Sequence, residues 1–256
     1  MKYLMLLLGL AIAQVEPKSG QPGKDATWVP TRPEVLDKML DLARVTPSDY
    51  VIDLGSGDGR TVIAAAKRGA HALGVEYNAD LVTLSRRLAR EAGVSDKAAF
   101  VQGDMFEADI SKATVLALFL TPENLYKLQS KFLSLKPGTR IALNSFPIGD
   151  WEPDASETLG PPCTTWCTAL LVIVPAQAGG VWRGNGIELS LKQQFQMVSG
   201  TLATSGSTVR VSGRLRGDQI TFTAGPSEYS GHISGARLAG TMTAGGTSTA
   251  FEMRRR

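Results

Sequence analysis

The sequence predicts an α/β fold: an open parallel sheet with helices on both faces, followed by an antiparallel β-meander. Three observations carry this. Apolar runs ending near Leu54, Glu76, Gln102, Leu120 and Asn144 alternate with amphipathic stretches, the rhythm of repeated βαβ units. Between the first run and its helix lies Gly55-Ser56-Gly57-Asp58-Gly59, a glycine at every second position. A strand, a glycine turn and a helix place a ligand at the carboxyl edge of such a sheet, because the turn is tight and backbone must approach the ligand closely. From about Asn185 the composition shifts to Gly, Ser and Thr with alternating apolar residues, which suits short antiparallel strands.

The elements follow in order. Pro33 near the start of an amphipathic run, with Thr31 as cap, predicts a helix through Arg44. Strand one is Tyr50 to Leu54 and the next helix runs from about Arg60 to Lys67. Strand two is Ala72 to Glu76, and a helix from Ala79 to Ala92 ends at Gly93. Strand three spans Ala98 to Gln102. Thr114 to Leu120 is an unbroken apolar run suited to a sheet centre. Pro122 opens a helix to Leu133, Leu135 to Gly138 is a turn, and strand five is Thr139 to Asn144. Thr168 to Val174 is a further apolar strand, and Val181-Trp182 begins another. In the C-terminal part an apolar residue stands two before and two after Gly200, Gly213, Gly231 and Gly240, with Gly217-Asp218 and Gly245-Gly246 as hairpin turns.

The 256 residues, 43% hydrophobic and 20% charged, are those of a globular protein. A net charge of +3, part of it in the terminal Arg254-Arg255-Arg256, gives no reason to expect nucleic acid as a partner. Lys2, the apolar run Tyr3 to Ala13 and the Ala11-Ile12-Ala13 triplet match a secretory signal peptide cleaved before Gln14, so export to the periplasm or envelope is expected. The run is too short to span a bilayer, and the mature chain is expected to carry no transmembrane helix. Cys163 and Cys167 could pair in an exported chain or remain two small thiols. With two histidines besides, none at ligand spacing, no metal site is expected. The expected organisation is a signal peptide at 1–13, a linker at 14–26, an α/β domain at 27–184 and a β-rich appendage at 185–256.

The glycine turn departs from a dinucleotide fingerprint, since Arg60 stands where its third glycine would be. Acids stand instead at three strand tips: Asp53, Glu76 and Asp104. A carboxylate after the second strand suits the two hydroxyls of a ribose. This set resembles the class I S-adenosylmethionine (SAM)-dependent methyltransferases. The resemblance implies a Rossmann-like methyltransferase sheet with flanking helices and SAM as cofactor. It implies cofactor contacts at Asp53, Gly55, Ser56, Gly57, Gly59, Glu76, Tyr77, Asp104 and Met105.

Val62 to Ala66, Ser111 to Thr114, Gly149 to Asp154, Leu135 to Gly138 and the Val29-Pro30-Thr31 entrance resemble a narrower branch. It comprises bacterial enzymes and the mitochondrial lysine methyltransferases that act on the adenine nucleotide translocator and the ATP-synthase c subunit. The resemblance covers roughly Trp28 to Pro175. It implies methyl transfer to a protein lysine, on a protein at or near a membrane. Phe119-Leu120-Thr121-Pro122 replaces the Asp/Asn-Pro-Pro-aromatic motif of nucleobase-amine enzymes. Acceptor contacts and the catalytic role fall to Trp28, Thr31, Thr121 and Pro122. A methyltransferase of a small molecule or lipid, and a non-catalytic envelope protein keeping the fold, are the alternatives.

Overall fold

The computed structural model describes residues 17–184 and 186–256. The expected signal peptide therefore lies outside the described residues. The N-terminal part contains helix α1 (Pro33–Leu42), β1 (Tyr50–Leu54), α2 (Arg60–Lys67), β2 (His71–Glu76), α3 (Ala79–Glu91), β3 (Ala98–Gln102) and β4 (Val115–Leu118). Helix α4 (Pro122–Leu133), β5 (Arg140–Asn144), β6 (Ala155–Thr158) and β7 (Thr168–Ile173) complete it. The seven strands form one sheet in the order β3-β2-β1-β4-β5-β7-β6. Pairing is parallel from β3 to β5, and β7 runs antiparallel to both β5 and β6.

The central strands read as continuous apolar runs because both faces are covered. Val51 and Val115 join the layer beneath α1, α2 and α3, while Ile52, Leu116 and Ile141 join the layer with Leu125, Leu128 and Phe132 of α4. At the amino end of the sheet, Asp49 is buried and paired with Arg140, whose guanidinium also donates to the Ala43 carbonyl at 2.6 Å. Thr114 Oγ1 donates to the same carboxylate at 2.7 Å. These bonds tie the exit of α1 to the starts of β1, β4 and β5.

Thr31 does not cap α1. The N-cap is Arg32, without a side-chain cap bond, and Pro33 opens the helix. Arg32 is extended (ψ 139°) because a residue before proline avoids the helical region. Strand β6 escapes sequence reading, since Ala155-Ser156-Glu157-Thr158 has no apolar alternation. It exists as an edge through its backbone pairing with β7.

The C-terminal strands are β8 (Gly180–Gly184), β9 (Ile187–Gln194), β10 (Met197–Ala203), β11 (Thr208–Arg216), β12 (Gln219–Ala224), β13 (Ser227–Ser234), β14 (Arg237–Ala244) and β15 (Thr247–Arg255). They do form a meander, and it closes: β15 pairs with β8 to complete an eight-stranded barrel. Two-residue turns at Gly217-Asp218, Gly225-Pro226, Gly235-Ala236 and Gly245-Gly246 link successive strands. Inside are Trp182, Leu189, Leu215, Ile220, Phe222, Leu238 and Met253, so the barrel is packed rather than hollow.

The recurring glycines have a packing cause. Gly231 lies opposite Gly240 in the ladder. A Cβ on Gly240 would stand 2.0 Å from the Ser230 carbonyl oxygen and 2.4 Å from the Gly231 Cα. Neighbouring strands approach there more closely than a side chain allows, which lets a small barrel coil tightly. Gly240→Ala is expected to lower stability by about 1–3 kcal/mol. Gly206→Ala, at a position with nothing within 4 Å of the added carbon, should change it by less than about 0.5 kcal/mol. Denaturant unfolding of the two variants checks this, and equal stabilities would refute the crowding.

Candidate active site

The ends of β1, β2 and β3 converge on one turn. Gly55, Gly57 and Gly59 all have positive φ, at 71°, 54° and 78°. At Gly57 a Cβ would lie 2.3 Å from Nε1 of Trp28, so the indole rests directly on the glycine backbone. At Gly59 a Cβ would run into Phe100 and Ser85, so this glycine lets α2 start close to its neighbours. Glu76, at the tip of β2, clamps the turn. Its Oε2 accepts the Gly57 N–H at 2.9 Å and its Oε1 accepts the Asn78 N–H at 2.9 Å. Asn78 in turn caps α3 by accepting from Asp80 N at 2.8 Å. Each Glu76 oxygen retains acceptor capacity for a ligand.

A cavity of about 460 Å³ opens along this carboxyl edge. On the β2–β3 side it is lined by Glu76, Tyr77, Asp104 and Met105. On the β4–β5 side it is lined by Phe119, Leu120, Thr121, Pro122 and Phe146, with Gly55 between. Trp166, from the loop between β6 and β7, adds to that wall. A further side is a strap. Gly20 N–H donates to the Trp28 carbonyl at 2.9 Å and Trp28 N–H to Gln21 at 3.1 Å, folding residues 20–28 into a hairpin-like turn. Within it Lys24 forms an ion pair with Asp104 and lies 5.0 Å from the centre of the Tyr77 ring. The Asp25 carbonyl accepts from Asn124 Nδ2 of α4 at 3.3 Å. Part of the stretch expected as a linker thus lines the cavity, with Trp28 at its end.

Eight of the thirteen residues singled out in the sequence come together here: Trp28, Gly55, Glu76, Tyr77, Asp104, Met105, Thr121 and Pro122. Thr121 Oγ1 also caps α4, accepting from Asn124 N at 3.4 Å. Thr31, Asp53, Ser56 and Gly57 line a small adjoining recess instead. Thr31 is 5% exposed, and its carbonyl accepts from Arg60 at 2.9 Å. Ser56 carries a buried hydroxyl without a protein partner, close to Gly74. Gly59 lines neither space and acts through packing. The strap, Phe146 and Trp166 escaped sequence reading. Each is distant in sequence from the glycine turn, and an aromatic in a loop carries no periodic signal.

Asp53 is a buried acid. Burial pushes its carboxyl well above the usual carboxylate range, and the charges of Glu76 and Asp58 add to this against a hydrogen bond from Thr61. Asp104 is held lower, through its hydrogen bonds with Lys24 and the Phe106 N–H. For Asp53 the folded chain holds a proton that the unfolded chain releases near pH 4, so its contribution to stability falls as pH rises from there. Asp53→Asn removes that fall. Denaturant unfolding of the ligand-free chain at a series of pH values should show the variant gaining on the wild type as pH rises. A difference independent of pH would refute the perturbation.

The residues fit S-adenosylmethionine. A clamped acid after the second strand with acceptor capacity to spare, the Gly55 backbone at the cavity and an apolar wall beyond it match a ribose, an amino-acid arm and a transferable methyl group. Comparison with known proteins agrees. Residues 53–155 match the family model of the ANTKMT methyltransferase domain. A protein-lysine N-methyltransferase of Saccharolobus islandicus is 41% identical over 129 residues, which cover 49% of this chain and 80% of that protein. The mouse lysine N-methyltransferase named for the ATP synthase c subunit is 40% identical over 128 residues, and there the matched part spans about half of each protein, 50% and 51%. A crystal structure of an RNA methyltransferase from Salinibacter ruber with S-adenosylhomocysteine is 44% identical, with a TM-score of 0.55, over 58% of this chain and 95% of that one. The chain belongs to the ANTKMT methyltransferase family and is a SAM-dependent methyltransferase.

Proposed function

We propose that the chain methylates lysine side chains of proteins. The observation that carries this is the wall on the β4–β5 side, where Phe119, Leu120, Pro122, Phe146 and Trp166 present apolar surface without an ionisable group. Such a wall takes the long alkyl stem of a lysine and strips water from it. The Saccharolobus and mouse relatives, named for lysine methylation, support the reading. The Salinibacter protein is named for RNA. In the present chain Phe119-Leu120-Thr121-Pro122 follows β4 where nucleobase-amine enzymes carry their Asp/Asn-Pro-Pro-aromatic motif, which favours lysine.

When bound, SAM supplies the methyl group as an electrophile on a positively charged sulfur. The protein's part is positioning. Glu76, which keeps the glycine turn closed, would hold the ribose, and Asp104 and Tyr77 would flank the adenine. Trp28 and Thr121 border the path of the acceptor. Much of the acceleration in such a reaction comes from orientation, so a catalytic dyad is not required. The amine must react in its unprotonated form, from an ordinary pKa of about 10.4.

The test is to incubate the full chain with methyl-labelled SAM and, separately, membrane proteins, lipid and RNA, and to map the label by mass spectrometry. Label on lysine is expected, with membrane proteins as the first acceptors to assay. Glu76→Ala should weaken S-adenosylhomocysteine binding by about ten- to a hundred-fold for a hydrogen bond to a charged acceptor. Label confined to lipid, small metabolites or RNA would overturn the lysine reading.

Export is a further part of the proposal. The apolar start up to Ala13 and the Cys163–Cys167 disulfide both suit an oxidising compartment. The native protein is expected to begin at Gln14 by mass spectrometry. An intact Met1 in a cytoplasmic fraction would overturn this.

A further inference from the structure

The β4–β5 wall of the cavity is aromatic as well as apolar. The Phe119 and Phe146 rings stack with centroids 6.2 Å apart, and Trp166 meets Phe119 edge-on at 5.5 Å and 63°. Trp166 is 43% exposed, a large apolar side chain left at the mouth. Its loop is fixed at both ends: Cys163 and Cys167 are joined by a disulfide, and Leu159 N–H donates to the Cys167 carbonyl at 2.9 Å. Trp166 lies inside this closed loop and outside residues 53–155, the stretch matched by the family model.

The carboxylates lining the cavity lie away from this wall and already have protein partners. Glu76 holds the Gly57 and Asn78 N–H groups, and Asp25 and Asp104 both face Lys24. What the β4–β5 side offers a cation is its cluster of aromatic rings. Weakly hydrated alkylammonium groups are the ligands that aromatic faces hold best. The same cavity already contains one such contact, the Lys24 ammonium over Tyr77.

We propose that Phe119, Phe146 and Trp166 form the subsite for the acceptor's alkylammonium group, with Trp166 as its specificity-determining side chain, positioned by the Cys163–Cys167 loop. This rests on the lysine reading above and deepens it. The amine gives up its proton to solvent, reacts in its neutral form and leaves as a methylated ammonium, so the subsite holds the methylated form, which is easier to desolvate.

The experiment uses the full chain loaded with S-adenosylhomocysteine and two probes. One is N-acetyl-Nε-trimethyllysine methylamide; the other is its neutral isostere, with carbon in place of the charged nitrogen. Fluorescence or NMR titration should find the cationic probe bound several-fold to about thirty-fold more tightly. Trp166→Ala should abolish that preference with S-adenosylhomocysteine affinity unchanged, and Trp166→Phe should keep most of it. The double variant Cys163→Ser, Cys167→Ser should weaken the preference although Trp166 remains. Equal binding of the two probes, or a preference that survives Trp166→Ala, would overturn the subsite while leaving the lysine reading standing. A preference unchanged in the double serine variant would overturn the positioning role of the loop. If S-adenosylhomocysteine binds and neither probe does, the lysine reading falls and the subsite with it.

Discussion

The site depends on one carboxylate. Glu76 ends β2 and bonds with both oxygens to backbone, one to the turn after β1 and one to the entry of α3. Strands β1 and β2 are parallel neighbours, so their tips are side by side, and the acid bridges the connections that leave them. An apolar side chain there would leave the Gly57 and Asn78 N–H groups without this acceptor. The acid also concentrates negative charge beside Asp53 and Asp58, and this is one reason the buried Asp53 favours its protonated form. A bound cofactor with a positive sulfonium and an ammonium group would bring opposite charge to this acidic edge.

Around that clamp the cavity is assembled from segments far apart in sequence. The strap from Gly20 to Trp28 reaches it from before α1, Phe119 to Pro122 from the end of β4, Phe146 from the end of β5, and Trp166 from the β6–β7 loop. The parallel part of the sheet makes this convergence unavoidable, because all its strands point their carboxyl ends the same way. Trp28 couples two of these sources: its indole needs the bare backbone of Gly57, and its carbonyl closes the strap by accepting from Gly20.

Legibility followed the same division. Strands β1 and β3 were readable to the residue: β1 because a strand buried on both faces must be apolar, and β3, an edge strand, because its short apolar run stops at Gly103. The acids at the strand tips were readable because spacing within a βαβ unit is local. What was not readable depended on partners remote in sequence. Strand β6 has an unremarkable sequence and owes its form to β7. The meander's closure requires β15 to meet β8, a pairing that alternation cannot announce. The mid-strand glycines were visible as a pattern, yet their cause, the approach of Gly240 to Gly231 across a ladder, appears only when the strands are paired. Thr31 looked like a cap because threonine precedes a proline-initiated helix, but the constraint that proline places on Arg32 moved the cap by one residue.

The barrel meets the sheet at the edge opposite the cavity. The Gly217 carbonyl accepts from Ala176 N–H at 2.8 Å, and Gly217 lies against Gly138, just ahead of the amino end of β5. The Gly149 to Asp154 segment forms the rest of the seat. Trp151, fully buried, stacks on Phe195 at 5.4 Å, the Glu152 carbonyl accepts from Gln196 at 2.7 Å, and Asp154 accepts from Arg214 at 2.7 Å. Asp154 also accepts from the Ile173 N–H of β7, so the ion pair is fastened to the sheet itself. The residues that line the cavity all precede Gly180, where the barrel begins. A barrel seated at the amino end can therefore neither touch the methyl group nor line the acceptor's path. The contacts it makes are packing and ion-pair contacts at the amino end of the sheet, which fasten the barrel to the domain without contributing to the cavity.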